Sequence, residues 1–148
     1  MRVAVIDSAP LISLAHLQLA QQLSLFFDVV YVPSAVQREV NRKQRFGYRL
    51  AKLYKTSVFQ RCPCTDPYGV ELLQAELHEG EAEALIQAQE KHARYFVGDE
   101  RRAREIGQAQ GLKAVGTVRI LARLNLEGAA EDPMTLVRKV LCPEFEEA

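Results

Sequence analysis

Three polar side chains, Asp7, Asp99 and Thr117, stand just after short apolar runs that are typical of buried β-strands. If those strands are parallel neighbours, their carboxyl ends meet at one edge of the sheet, where sites in such folds gather. Acids held close together raise each other's pKa, and a bound divalent cation removes that penalty. Such a cation can activate water against a phosphate. The pattern indicates phosphodiester hydrolysis; the alternative is that Asp7 and Asp99 only cap the helices that follow them.

Strand-like and helical segments alternate along the chain and predict the elements that position these residues. Strands are expected at Val3–Ile6, Val29–Val32, Ser57–Gln60, Tyr95–Val97 and Leu112–Val115. Helical spacing is found at Pro10–Leu17, after Pro33, at Val70–Leu77, Ala82–Ala88 and Arg101–Gln110, from Thr117 through Leu124, and after Pro133. Strands that alternate with helices of about ten residues predict a layered α/β domain with parallel pairing.

The composition is that of one ordinary globular domain, with 148 residues, 48% hydrophobic and 26% charged. Lys plus Arg and Asp plus Glu number 19 each, so net charge neither favours nor excludes a nucleic-acid partner. No apolar run approaches the roughly 18 residues that span a membrane, and no signal-peptide pattern is found, so we expect a cytoplasmic protein without membrane association. Three scattered cysteines favour neither a disulfide framework nor a zinc site.

Five blocks of the sequence resemble, in the same order, segments of the PIN-domain family. The blocks are VIDSAPLI from Val5, VPSAVQREV from Val32, GEAEAL from Gly80, GDERRAR from Gly98 and VGT from Val115. Each is weak alone, but the ordered set spans residues 3 to about 122 and resembles the toxin-type prokaryotic branch. The resemblance implies a single PIN-like domain over residues 1–148, with a central parallel sheet flanked by helices in three layers. It also implies acidic ligands for Mg²⁺ or Mn²⁺, ribonuclease activity on RNA and, for many members, an antitoxin protein as partner.

The same resemblance assigns the metal ligands and catalytic acids to Asp7, Glu39, Glu83 and Asp99, with Glu81 and Glu100 as fallbacks. Glu39 borders the buried face of its helix next to Val40, so it can reach toward Asp7. Its alternative role is that of an exposed acid paired with Arg42 or Lys43.

Two choices between neighbouring acids stay open. Glu81 and Glu83 point about 160° apart on a helix, and periodicity does not choose between them. Glu81 has an ordinary role in the first helical turn, where the helix dipole favours negative charge. Glu83 better matches the family's mid-helix acid, so we select it. We prefer Asp99 to Glu100 because Asp99 ends the strand, although Glu100 aligns if the helix starts one residue later.

Two hydroxyl side chains, those of Ser8 and Thr117, are candidates for supporting roles. Either could orient a metal-bound water or a phosphate through hydrogen bonds. Helix capping explains both positions at least as well.

A basic segment follows Glu39 and predicts contact with nucleic acid. Its cations are Arg38, Arg42, Lys43, Arg45, Arg49, Lys52 and Lys55, interleaved with Phe46, Tyr48 and Tyr54. Basic groups bind phosphates and aromatic rings stack on unpaired bases, so the segment could deliver a strand to the acids. The alternative is a solvated helix face with its aromatics packed inward. Arg101, Arg102 and Arg104 could extend the basic surface.

Rival enzyme classes lack their motifs here. No Gly-x-Gly-x-x-Gly or Walker-type loop follows the first strand, and Ala9 stands where a haloacid-dehalogenase-like phosphatase has its second Asp. The remaining rival is a non-catalytic PIN-like module that binds RNA or a protein, against which the presence of Asp7 argues. A homodimer is a further candidate, since the apolar stretch Leu11–Phe27 could supply a partner face; core packing explains that stretch equally well.

Overall fold

The computed structural model describes residues 1–42, 51–55 and 58–141, and within them the strands form one five-stranded sheet. The strands are β1 (Val3–Ile6), β2 (Val29–Pro33), β3 (Phe59–Cys62), β4 (Tyr95–Val97) and β5 (Lys113–Val115). Their order is β3-β2-β1-β4-β5, and every neighbouring pair is parallel. The α/β class and the parallel pairing are therefore confirmed, while β3 begins two residues later than the predicted Ser57.

Helices occupy the connections between these strands. They are α1 (Ser8–His16), α2 (Ser34–Arg42), α3 (Pro67–Leu73), α4 (Glu79–Glu90), α5 (Arg101–Ala109), α6 (Thr117–Leu126) and α7 (Pro133–Leu141), with a 3₁₀ helix at Ala20–Leu25. The first helix begins two residues before the predicted Pro10, because the Asp7 side chain caps it. Pro10 fits there since the first turn needs no donor from it. No helix in these described residues is long and apolar enough to cross a membrane.

Alternating residues of the central strand face two separate cores. Ala4 and Ile6 of β1 pack into one apolar cluster, while Val5 packs into the other. Helices α1 and α6 contribute to the first cluster, and helix α4 contributes to the second. The sheet therefore lies between two helical layers, as predicted.

The apolar stretch between α1 and β2 belongs largely to the chain's own core. Leu11, Leu14, Leu23 and Phe27 are buried in the first cluster, whereas Leu25 is 47% exposed. Most of the surface that was a candidate for a partner face is thus already covered within the chain.

Candidate active site

Asp7 connects the end of the central strand to the start of the first helix. Its backbone N–H donates to the Val97 carbonyl at 2.9 Å, which ties β1 to β4. Its Oδ1 accepts from the Ser8 N–H at 2.8 Å, which caps α1. The side chain is buried, and this burial raises the pKa of the Asp7 carboxyl to about 7, with smaller contributions from the charges of Glu81, Glu39 and Asp99. A carboxylate in this position is costly unless a cation neutralises it.

Glu39 approaches Asp7 through Ser8. The Ser8 hydroxyl donates to Oε2 of Glu39 at 2.7 Å, which joins α2 to the start of α1. A Cβ added at Gly80 would lie 3.3 Å from Oδ1 of Asp7 and 3.6 Å from Oε2 of Glu39. The two carboxylates therefore reach the same point beside the first turn of α4, as expected for Glu39. The hydroxyl of Ser8 thus positions the carboxylate of Glu39.

Glu81 and Glu83 take different places in the structure. Glu81 lines a pocket together with Asp7 and Glu39, and burial raises the pKa of the Glu81 carboxyl. Glu83 is equally buried, but its Oε1 accepts the backbone N–H of Ala35 at 3.1 Å. It thereby satisfies a donor in the first turn of α2. Of the two acids, the fallback Glu81 is the one that lines the pocket. Helix α2 causes this difference, because its Ala35 N–H engages the carboxylate of Glu83.

Asp99 also reaches the pocket, and both of its carboxylate oxygens have partners. Oδ1 accepts from the Thr117 N–H at 2.7 Å, and Oδ2 accepts from the Thr117 hydroxyl at 2.8 Å. Asp99 therefore caps α6, which is a helix other than the one that directly follows it. Glu100 lines the same pocket and makes no capping hydrogen bond to α5. Asp99 and Glu100 therefore both line the pocket.

The pocket has a volume of about 250 Å³ and lies at the carboxyl ends of β1 and β4. Its lining is Asp7, Ser8, Ala9, Glu39, His78, Gly80, Glu81, Asp99 and Glu100. Among the described residues, the lining thus includes five carboxylates and no lysine or arginine. We call it the acidic pocket. A bare phosphate would be repelled from it.

The donors of the acidic pocket suit a hard divalent cation. Carboxylate oxygens are the ligands that Mg²⁺ and Mn²⁺ prefer. Burial, and to a smaller extent the neighbouring carboxylates, raise the pKa of Asp7, so a bound cation would relieve the cost of its charge. In the part of the chain that the structure describes, no three acidic, histidine or cysteine side chains already form a compact ion site. Glu39 is engaged by Ser8 and Asp99 by Thr117, which accounts for the open arrangement. The chemistry of these side chains therefore fits a hard divalent cation such as Mg²⁺ or Mn²⁺.

Only part of the predicted basic segment can be placed. Arg38 forms an exposed ion pair with Glu79, and Arg42 and Lys52 are exposed. Tyr54 packs under Arg61, whose guanidinium carbon lies 4.1 Å from the ring centroid, so this aromatic side chain is turned inward. The other predicted contacts, Lys43, Arg45 and Arg49 with Phe46 and Tyr48, lie outside the described residues.

The three arginines of α5 do not form one open basic surface. Arg101 pairs with Glu105, and Arg102 pairs with Glu76 at 2.7 Å. Arg104 turns inward, and its Nη1 donates to the carbonyls of Gly98 at 3.2 Å and Asp99 at 2.5 Å. Arg104 thus holds the turn that presents Asp99.

Three residues of the acidic pocket, Ala9, His78 and Gly80, were not predicted as site residues. Gly80 leaves the room into which the carboxylates of Asp7 and Glu39 project. His78 lies just before α4, and its charge lowers the pKa of Glu81. The available signal was position, since Ala9 directly follows Ser8, Gly80 directly precedes Glu81, and His78 lies three residues before Glu81.

Comparison with known protein families agrees with the α/β fold. Residues 3–142 match the family model DUF3368, which is described as a PIN domain. The match extends through α7, which the five sequence blocks do not reach. No curated protein matches the chain.

Proposed function

Because this chain belongs to the PIN-domain family, we propose that its acidic pocket is the active site of a divalent-metal-dependent endoribonuclease. PIN domains are generally nucleases and usually use divalent metals. The observation that carries the proposal is the convergence of acids from separate segments of the chain. Asp7 and Asp99 follow strands, while Glu39 and Glu81 come from helices, and all four line one pocket.

We assign the ion to Asp7, Glu39, Glu81 and Asp99, with Glu100 as the nearest substitute. Glu81 takes the place first given to Glu83, whose carboxylate serves the start of α2. When bound, Mg²⁺ or Mn²⁺ supplies an activated water and stabilises the charge that develops on the phosphate. Ser8 and Thr117 hold two of the ligands by their hydroxyls.

The protein's own residues contribute position and charge. Asp7 is fixed by the cap of α1 and by the bond to β4, so its carboxylate is placed before substrate arrives. The acids around it repel RNA as long as they are unneutralised. Access of the scissile phosphate to the pocket therefore depends on the cation.

The cellular role is the finer part of the proposal. The toxin role and an antitoxin partner follow from the sequence resemblance, and they stay predictions, as do a homodimer and a cytoplasmic location. RNA is the expected substrate, because PIN nuclease domains generally bind RNA.

A cleavage assay with matched variants tests the nuclease. Purified protein should cut single-stranded RNA with Mn²⁺ or Mg²⁺, and EDTA should stop the reaction. Asp7→Asn should abolish cleavage, because it removes a buried charge while keeping the oxygen that caps α1. Asp132→Asn, at an exposed aspartate outside the acidic pocket, is the control and should cleave like wild type.

Two outcomes would contradict the proposal. Equal cleavage by wild type and Asp7→Asn would assign the activity to a contaminant. RNA binding without turnover, unaffected by chelation, would identify a non-catalytic binding module.

A further inference from the structure

A second cavity lies along the edge strand β5 and the helix that follows it. It has a volume of about 710 Å³ and is lined by β5 with the preceding Leu112, by α6, by residues just before β1 and β2, by the first residue of β4 and by Gln108 of α5. We call it the β5–α6 groove. It is separate from the acidic pocket, with which it shares no lining residue.

The chemistry of the groove is the opposite of that of the acidic pocket. Its charged and aromatic lining comprises Arg2, Lys113, Arg119, Arg123, Phe26, Phe27 and Tyr95. No acid belongs to this lining within the described ranges. Cations combined with aromatic rings are the combination that binds the phosphates and bases of a single strand.

Arg2 pairs with Asp28, whereas the other cations of the groove stay available to a ligand. Arg119 and Arg123 are exposed and lie four residues apart, so they project from the same face of α6. Arg123 meets Glu127 at 3.8 Å, but such an exposed pair contributes little and is easily replaced by a phosphate. The amino group of Lys113 lies 6.0 Å from the centre of the Tyr95 ring, which places a charge beside an aromatic face.

The groove also lies within reach of the acidic pocket. Val115 lines the groove two residues before Thr117, which holds Asp99 of the pocket. Along α6, Arg123 is about 9 Å from Thr117, from the rise of an α-helix over six residues. A strand that leaves the pocket beside α6 would therefore meet Arg119 and then Arg123.

We propose that the β5–α6 groove binds the segment of single-stranded RNA next to the scissile bond. Its phosphates contact Lys113, Arg119 and Arg123, and a base packs against the partly buried rings of Phe26 and Tyr95. The inference rests on the proposed function, because an all-carboxylate pocket cannot hold a polyanion by itself. An acidic peptide is the rival occupant, and the aromatic faces favour RNA over it.

RNA binding in EDTA tests the groove without cleavage. We would measure fluorescence anisotropy of a labelled single-stranded RNA with Arg119→Ala/Arg123→Ala and with Arg138→Ala/Lys139→Ala. The second variant removes two cations from α7, away from the groove. The groove variant should bind about tenfold more weakly at low salt, and its salt slope should shrink by about 1.4 for two lost phosphate contacts. The control should bind like wild type.

The test separates this proposal from the proposed function. Asp7→Asn should fail to cut RNA in the assay with metal, whereas the groove variant should lose RNA binding in EDTA, so loss of cleavage and loss of binding are separate readouts. The proposal is overturned if the groove variant retains wild-type affinity and salt slope, or if wild type binds no RNA. If the same substitutions abolished binding of a polyglutamate peptide and left RNA binding unchanged, the groove would be assigned to a protein partner instead. Thermal unfolding should confirm that the variants remain folded.

Discussion

Thr117 holds the carboxylate of Asp99 through both of its donors, its backbone N–H and its hydroxyl, at 2.7 and 2.8 Å. The pair joins the ends of β4 and β5, because Asp99 follows one strand and Thr117 begins the helix after the other. Gly116 permits the approach, since a Cβ there would lie 3.1 Å from Oδ1 of Asp99. Asp99 thereby replaces the missing side-chain cap of α6 and is oriented at the acidic pocket by the same contact.

Thr117→Val should therefore affect both stability and cleavage. Valine keeps the shape and the backbone donor but removes the hydroxyl, which should cost about 1 kcal/mol of unfolding free energy. Cleavage should fall by about tenfold or more, because Asp99 loses its orientation. Thr117→Ser, which restores the hydroxyl, should recover most of both quantities in denaturant unfolding and in the RNA assay. Wild-type cleavage by Thr117→Val would show that the contact is only a helix cap.

Glu81 and Glu83 should separate activity from stability. Glu81→Gln should abolish cleavage with little change in unfolding free energy, because it removes a pocket carboxylate. Glu83→Gln should remain active, because its amide oxygen still accepts the Ala35 N–H. Glu83→Ala should lower the unfolding free energy by about 1 kcal/mol or more, since it leaves that buried donor without a partner.

These three variants form a matched set for the ligand choice. If Glu83→Gln were inactive and Glu81→Gln active, the sequence-based choice of Glu83 would stand, and the pocket geometry would mislead. Cleavage rates at saturating Mn²⁺ together with unfolding curves distinguish the two assignments.

Local signals predicted the strands more closely than the helix ends. The apolar runs Val3–Ile6 and Tyr95–Val97 are bounded by polar or glycine residues, and both strands have those bounds. The start of α1 was predicted two residues late, because the apolar spacing begins at Pro10 whereas capping by Asp7 starts the helix at Ser8. Capping is decided by a side-chain hydrogen bond, which hydrophobic periodicity does not report.

The site was predictable where an acid directly follows a strand. Asp7 and Asp99 owe their positions to the parallel sheet, which the alternation of segments already indicated. The choice between Glu81 and Glu83 depends on α2, which packs from elsewhere in the chain and presents the Ala35 N–H to Glu83. Helix α4 alone does not distinguish the two acids, because Glu81 and Glu83 are equally buried on it.

Arg104 should act as a positioning residue for Asp99. Its guanidinium joins the carbonyls of Gly98 and Asp99, so Arg104→Ala should loosen this turn and lower cleavage by about tenfold. Arg104→Lys should recover part of the rate, because one ammonium can still donate to these carbonyls. The apparent affinity for Mn²⁺ should weaken in Arg104→Ala, as measured by metal titration of cleavage. Unchanged metal affinity together with loss of RNA binding would instead make Arg104 a phosphate contact.

Asp7 should make the metal-free protein less stable as pH rises. The pKa of Asp7 is about 7 in the folded protein and 3.8 in the unfolded chain, so the folded state binds the proton more tightly. Below about pH 4, Asp7 is protonated in both states, and its charge imposes no penalty. Between about pH 4 and 7 the unfolded chain releases the proton first, which lowers the unfolding free energy by up to about 4 kcal/mol.

Asp7→Asn removes this titration and keeps the capping oxygen, so it isolates the effect. In EDTA, the variant should match wild type near pH 4 and become the more stable protein as pH rises to 7 and above. Glu81, Glu39 and Asp99 face Asp7 in both proteins, so the two proteins differ only in the group at position 7. Mn²⁺ should narrow the gap at neutral pH by stabilising wild type alone. Denaturant unfolding at a series of pH values measures the difference in unfolding free energy between the two proteins. A difference independent of pH would show that burial does not disfavour the Asp7 charge.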